Sequence, residues 1–329
     1  MLKRLLYAIA TLFIAFLGWY FISIRPVTLH STPELDFEIV SGETLDEITT
    51  KLSQARLIRS RTAFKITVIR FGIAAKIQAG FFRLSPNMDI PTIARKLTKA
   101  YAKQVRITIP EGLRRQEIAL IVYNSLKQTS SDTLFNTQEF LTLTTSLEGK
   151  LFPDTYDLDP KTDTKAVISR LTGNFNKVIA DLKIPDDKLQ DTLVLASLLE
   201  REAASSSEMP EIAGVLLNRL KAGWPLQVDA TVQYVLANQR CKNIDCDWWP
   251  QNLTPSDLRI KSPLNTYLNP GLPTAPISNP GRDSLSAAAS PQSTSNWFYL
   301  HDLSGKIHFA KTIEEHNQNV CIYLKKDCN

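Results

Sequence analysis

The beginning of this chain limits its possible folds more than any other feature. In "MLKRLLYAIATLFIAFLGWYFISIR" no charged residue occurs from Leu5 to Ile24, a run of 20 residues after Lys3 and Arg4. At about 1.5 Å per residue such a run crosses a hydrocarbon core of roughly 30 Å. Trp19 and Tyr20 stand toward its far end, where amphipathic rings favour the membrane interface. A cleaved signal peptide would have a shorter apolar region ending in a small-x-small site, whereas this run ends in "YFISIRPV". Residues 5–25 therefore read as an uncleaved anchor in the inner (plasma) membrane. Lys3 and Arg4 favour a cytoplasmic tail of residues 1–4, with Arg25 weakening that bias. The remainder, which contains no second span, is expected on the periplasmic or extracytoplasmic side.

With 329 residues the chain can bury a substantial core and has room for one to three domains. Its net charge of +5 is mild and is not concentrated on a dense Lys/Arg face, so nucleic acid is not an expected partner. Cys241 and Cys246 form a C-x4-C pair and Cys321 and Cys328 a C-x6-C pair. Neither has the paired C-x2-C spacing of a zinc site, so an oxidising compartment could join each pair as a disulfide, with buried thiols the alternative.

After a Pro/Thr/Ser linker (26–33), a strand-turn-helix pattern occurs three times within 34–130, at 37–58, 79–100 and 105–126. In the first, Ser41-Gly42 marks the turn, Thr44 and Glu47 have capping-box spacing, and Ile48, Leu52 and Ala55 recur at helical spacing. The first and third copies resemble a LysM-like glycan-binding unit, with a plain α+β scaffold as the alternative. Residues 131–329 form the second region. There "LEGKLFPDTYDL" (147–158) reads as a rigid loop, and 164–182 as a helix with Val167, Leu171, Phe175 and Ile179 on one stripe.

The next helix, about Lys188 to Ala203, is apolar nearly all round. Glu200 shares a stripe with Leu189, Leu193, Ala196 and Ala203, while Val194, Leu195 and Leu198 cover the other side. A carboxylate on such a helix loses hydration, which favours its protonated form and suits a general acid. The structural alternative is a helix-end glutamate paired with Arg201. Glu202 points away from the stripe and reads as an exposed partner or supporting group. A further helix is expected from a Ser206 or Ser207 cap, with Pro210 in its first turn, Ile212, Val215, Leu216 and Leu220 buried, and Gly223 as its stop. Asn218 and Arg219 near its end, then Gln227, Asp229, Thr231 and Tyr234, offer hydrogen-bonding groups that could hold an acetamido sugar or simply cap loops. The Pro- and Gly-rich stretch 262–281 reads as a shaped loop in which Asn265, Thr266 and Tyr267 could contact sugar. His301, His308 and His316 are too dispersed for a compact metal triad, so scaffolding is expected and no metal.

"LASLLEREA…AGVLLNRLKAGWPLQVDATVQY", "LEGKLFPDTY", "SPLNTYLNPGLPTAPISNPG" and "HFAKTIEEHN" resemble, in order, the successive motifs of the YceG-like family of endolytic murein transglycosylases. The resemblance implies an α+β architecture: an N-terminal transmembrane helix, a LysM-like subdomain and a mixed α+β catalytic domain. It implies a lytic transglycosylase that needs no cofactor. Such an enzyme cleaves the MurNAc-GlcNAc bond inside peptidoglycan strands, leaves 1,6-anhydro-MurNAc ends and terminates nascent strands beside peptidoglycan synthases. Glu200 matches the family's catalytic glutamate, and Asn218, Arg219, Gln227, Asp229, Thr231, Tyr234, Asn265, Thr266 and Tyr267 would line or brace the cleft. A hydrolase would instead need a second carboxylate, for which Asp229 or Glu202 would serve. The segment 235–261, with the cysteine pair, Trp248 and Trp249, departs from the pattern; its indoles could stack on sugars or pack a disulfide-closed loop. A noncatalytic, membrane-anchored peptidoglycan-binding scaffold is the rival reading.

Overall fold

A computed structural model describes residues 2–100, 104–129 and 133–325. The chain divides into two compact units, Met1–Lys103 and Gln104–Asn329.

The first unit begins with helix α1 (Leu2–Ser23), which has a mean hydropathy of 2.1 over its apolar window. The helix ends as part of the unit's own core. Tyr20 is 7% exposed and its hydroxyl lies 2.9 Å from Thr67 Oγ1. Strand β1 (Leu35–Ile39) is followed by α2 (Leu45–Gln54) and α3 (Arg61–Arg70), then β2 (Gly80–Leu84) and α4 (Ile90–Lys96). β1 and β2 pair antiparallel with Phe37 opposite Phe82, so alternate residues of both strands face the helices. The capping box starts α2 as its spacing predicts: Glu47 N donates to Thr44 Oγ1 at 3.3 Å and Thr44 N to Glu47 Oε2 at 2.7 Å. Ile48 and Leu52 are buried with Phe64, Val68 and Ile93, but Ala55 is the exposed C-cap rather than a third buried position.

The second unit opens with β3 (Val105–Thr108) and α5 (Arg115–Thr129), the third strand-turn-helix copy. Its strand pairs antiparallel not with β1 or β2 but with β4 (Thr155–Leu158), after α6 (Thr137–Leu143). Then come α7 (Thr164–Leu182), α8 (Asp186–Glu202), α9 (Met209–Lys221), α10 (Asp229–Arg240) and α11 (Arg282–Ala289). An antiparallel hairpin, β5 (Phe298–His301) with β6 (Ile307–Ala310), and α12 (Ile313–Val320) follow. The fold is mixed α+β, with a single helix among the described residues apolar and long enough to cross a membrane.

The predicted stripe of α7 is buried as read, at Val167, Leu171, Phe175 and Ile179. α8 is buried continuously from Thr192 to Leu199, which makes it the central helix of this unit. α9 differs from expectation at its start. Neither Ser206 nor Ser207 caps it; Glu208 occupies the N-cap position, while the Ser205 and Ser207 hydroxyls lie 2.9 Å apart. Cys241 and Cys246 are joined as a disulfide with Cα atoms 5.8 Å apart. The expected Cys321–Cys328 pairing falls on Cys328, which lies outside the described residues.

Candidate active site

Three stretches meet at the C-terminal end of α8. Ser197 ties the 262–281 loop to the helix: its hydroxyl accepts from Ile277 N at 3.1 Å, and its carbonyl accepts from Ser278 Oγ at 3.1 Å. Asn279, fully buried, ties the same loop to the turn between β3 and α5. Its carbonyl accepts from Gly112 N at 2.9 Å, its amide N–H donates to Leu113 O at 2.8 Å, and its side chain bonds Leu113 O, Leu151 N and Glu148 Oε1. These clamps bring Glu111, Gly112 and Gly281 against Glu200.

Glu200 is half-buried and held through one oxygen. Oε2 accepts from Gly281 N at 2.9 Å and from Ser284 Oγ at 2.6 Å, both at the N-terminal end of α11. Among the described residues no donor bonds Oε1. The Ser284 hydroxyl also lies 3.0 Å from Gly281 O. It can donate to an ionised Glu200, or accept from a protonated one while turning its own proton to the carbonyl. Oε2 thus has a hydrogen-bond partner in either protonation state.

Two glycines permit this close approach. A Cβ on Gly112, where φ is +75°, would lie 3.4 Å from Glu200 Cγ and 3.3 Å from Arg201 Nη1. At Gly281 a Cβ would sit 2.7 Å from Glu111 Cδ. Glu111 is therefore packed against the same glycine whose N–H holds Glu200. Its carboxyl is raised by partial burial first, then by the charges of Glu200 and Asp283. Sequence reading missed Glu111. Its signal was "IPEG", a carboxylate beside a glycine in the turn of the third strand-turn-helix copy.

Arg201 does not form an ion pair with Glu200. Its guanidinium stacks 3.9 Å over Trp249, whose indole N–H donates to Glu117 Oε2 at 3.1 Å, and burial lowers its pKa. Trp248 and Trp249 are buried against the fully buried Arg114, whose guanidinium lies 4.7 Å and 5.8 Å from their rings and 3.8 Å from that of Tyr234. Both indoles therefore pack the loop next to the disulfide.

Glu202 is not the exposed residue its helical phase suggests. β5 folds over it and Tyr299 Oη donates to its Oε2 at 2.7 Å; burial raises its pKa, and Asp229 adds to the effect. Arg219 and Asn218 act on backbone: Arg219 donates to Trp297 O and Leu226 O, and Asn218 to Thr294 O and Asn296 O. Thr231 and Thr266 are buried and bonded to each other at 3.0 Å, and Asn265 donates to Leu258 O and Ile260 O. Tyr234 donates to Glu148 Oε2 at 3.3 Å. Gln227 and Asp229 are exposed, Gln227 with φ +56°, and half-buried Tyr267 donates to Asp229 Oδ1. Of the expected substrate contacts, these last three thus keep the most polar surface open to a ligand. His301 pairs with Glu208, His308 with Asp302, and His316 stacks on Phe298. Among the described residues no group of three or more His, Cys, Asp or Glu side chains is arranged to hold a metal.

A carboxyl held through one oxygen, with a second carboxyl beside it, has the chemistry that general acid-base catalysis uses. The YceG-like family profile matches residues 37–321, and the chain belongs to that family. It is 32% identical over 321 residues to an endolytic murein transglycosylase of Bacillus subtilis strain 168, covering 90% of this chain and 86% of the relative. An endolytic murein transglycosylase of Streptococcus pneumoniae D39 is 25% identical over 93% of this chain, which spans 61% of that longer protein. A crystal structure of a YceG-like protein from Listeria monocytogenes superposes with a TM-score of 0.52 at 28% identity, covering 88% of this chain and 99% of that one.

Proposed function

We propose that this protein is an endolytic murein transglycosylase with Glu200 as its catalytic acid and base. The observation that carries the reading is the one-sided hold on Glu200: Gly281 N and Ser284 Oγ engage Oε2 and leave Oε1 to face substrate. In the reaction, protonated Glu200 gives its proton to the glycosidic oxygen as the bond from the muramyl C1 breaks. The ionised carboxylate then takes the C6 hydroxyl proton as O6 closes on C1. The 1,6-anhydro ring forms, no water is consumed, and Glu200 regains its proton. Gln227, Asp229 and Tyr267 contact sugar, while Asn218, Arg219, Thr231, Tyr234, Asn265 and Thr266 brace the walls.

The apolar α1 supports a single-pass anchor with the second unit outside the plasma membrane, where nascent strands and the synthases that make them lie. The β1-α2-α3-β2 order of the first unit supports a LysM-like, glycan-holding role. Full-length protein incubated with purified sacculi tests the reading. Mass spectrometry should detect new 1,6-anhydromuramyl ends that Glu200→Gln abolishes while glycan binding persists. Reducing ends would mean a hydrolase, the absence of new ends a binding scaffold, and unchanged product from Glu200→Gln a different acid.

A further inference from the structure

The first unit grips the end of α1 at two heights. Near the chain's exit from the apolar run, the guanidinium of Arg59 donates to Pro26 O at 2.7 Å and Val27 O at 2.9 Å. Further back along α1, the Tyr20 hydroxyl meets Thr67. Between Arg59 and Thr67 the chain runs as α3, capped by Ser60. α3 is therefore antiparallel to the exit of α1 and descends about 10 Å from the level of Pro26 to that of Tyr20. Helical side chains lean toward their N-terminus, so the Tyr20 ring sits deeper still than its own Cα.

α3 continues past Thr67 for three more residues, to Arg70, about 4.5 Å at 1.5 Å per residue. The chain then reverses at Gly72, where φ is +61°, and Ile73 N returns to Val68 O at 2.8 Å. The tip of this descent is Ile69-Arg70-Phe71, with Ile69 65% and Phe71 59% exposed. Two large apolar side chains at a loop tip are costly in water, but here they stand at the depth of the apolar run of α1. Arg70 between them can reach a phosphate while its stem stays apolar.

We propose that the Ile69–Phe71 tip is a second membrane contact, inserted into the outer-leaflet interface beside α1, with lipid as its partner. It makes the first unit a rigid collar seated on the bilayer, held by an interfacial apolar wedge as well as the anchor. The inference rests on α1 spanning the membrane, and the test separates the two.

The full chain is reconstituted in phosphatidylglycerol/phosphatidylethanolamine vesicles, with the photo-crosslinking residue p-benzoylphenylalanine placed at Leu12 or at Phe71. Both positions are exposed, so neither substitution should prevent folding. The expected result is phospholipid adducts at both sites, with yields of the same order. Adducts at Leu12 but none at Phe71 would overturn the wedge and leave the anchor standing, and a protein adduct at Phe71 would replace lipid by a second copy. No lipid adduct at either site would remove the anchor and the wedge together.

Discussion

Ser284 Oγ lies 2.6 Å from Glu200 Oε2, although 84 residues separate them in sequence. A hydrogen bond to a charged group contributes about 1.5–3 kcal/mol, which corresponds to roughly 10–100-fold in rate where it orients the reacting carboxyl. Ser284→Ala should lower the formation of 1,6-anhydromuramyl ends by that factor and leave sacculus binding unchanged. A variant with wild-type turnover would show that Gly281 N alone orients Glu200.

The Glu148 carboxyl is enclosed beneath the site. Burial pushes it up to about 7, opposed by Arg114 and by the Arg115 N–H. A folded-state pKa above the ordinary carboxyl value of 4.5 means that the folded state binds the proton more tightly than the unfolded chain. This contribution to stability is complete below about pH 4.5 and is lost as pH rises through about 7. Glu148→Gln keeps an oxygen for Arg115 N and Asn279 Nδ2, and its NH2 can donate to the Tyr234 hydroxyl. Thermal melts between pH 5 and 8 should therefore show a wild-type Tm that falls with pH more steeply than that of Glu148→Gln. Parallel slopes would place the titration elsewhere.

Much of this second unit was legible because helical periodicity reports burial directly. The stripes of α7 and α9, and the all-round apolar face of α8, placed Glu200 at the end of a central helix. The contacts that make Glu200 a candidate catalyst were not legible. Gly281 and Ser284 reach it from the start of α11, more than 80 residues away, and Glu111 comes from a turn that periodicity assigns to no face. Glu202 was misread for the same reason: its helical phase points outward from α8, but β5 later covers that side with Tyr299. Ser206 and Ser207 offered cap chemistry one or two residues too early, and α9 starts after them at Met209 with Glu208 as its N-cap.

Asn279 takes part in five hydrogen bonds, three to Gly112 and Leu113 of the turn and two to Leu151 N and Glu148 Oε1 in the core. Asn279→Ala keeps the backbone bonds but leaves Leu151 N and Glu148 Oε1 each short of a partner. Stranding buried polar groups costs about 1–3 kcal/mol apiece, so a loss of roughly 3 kcal/mol or more is expected. Urea unfolding should show a lower midpoint at unchanged slope. An unshifted midpoint would mean that these groups find other partners.

The packing of Glu111 against Gly281 makes two substitutions equivalent. Burial first, then the charges of Glu200 and Asp283, raise the Glu111 carboxyl, so the folded chain holds that proton more tightly than the unfolded one. The stability that Glu111 contributes is complete below its ordinary value of 4.5 and is lost as pH rises through its raised folded value, and Glu111→Gln removes that dependence. Thermal melts between pH 4 and 7 should therefore show a wild-type Tm that falls with pH more steeply than that of Glu111→Gln. Gly281→Ala keeps the charge but puts a methyl group where the Glu111 carboxyl lies. Because that group is the far end of an exposed, flexible side chain, it should swing into solvent at a stability cost within about 1 kcal/mol. By moving the Glu111 carboxyl into water, Gly281→Ala should flatten the same fall of Tm with pH, and adding it to Glu111→Gln should flatten it no further. Additive changes in slope would mean that Gly281→Ala acts other than by unseating Glu111.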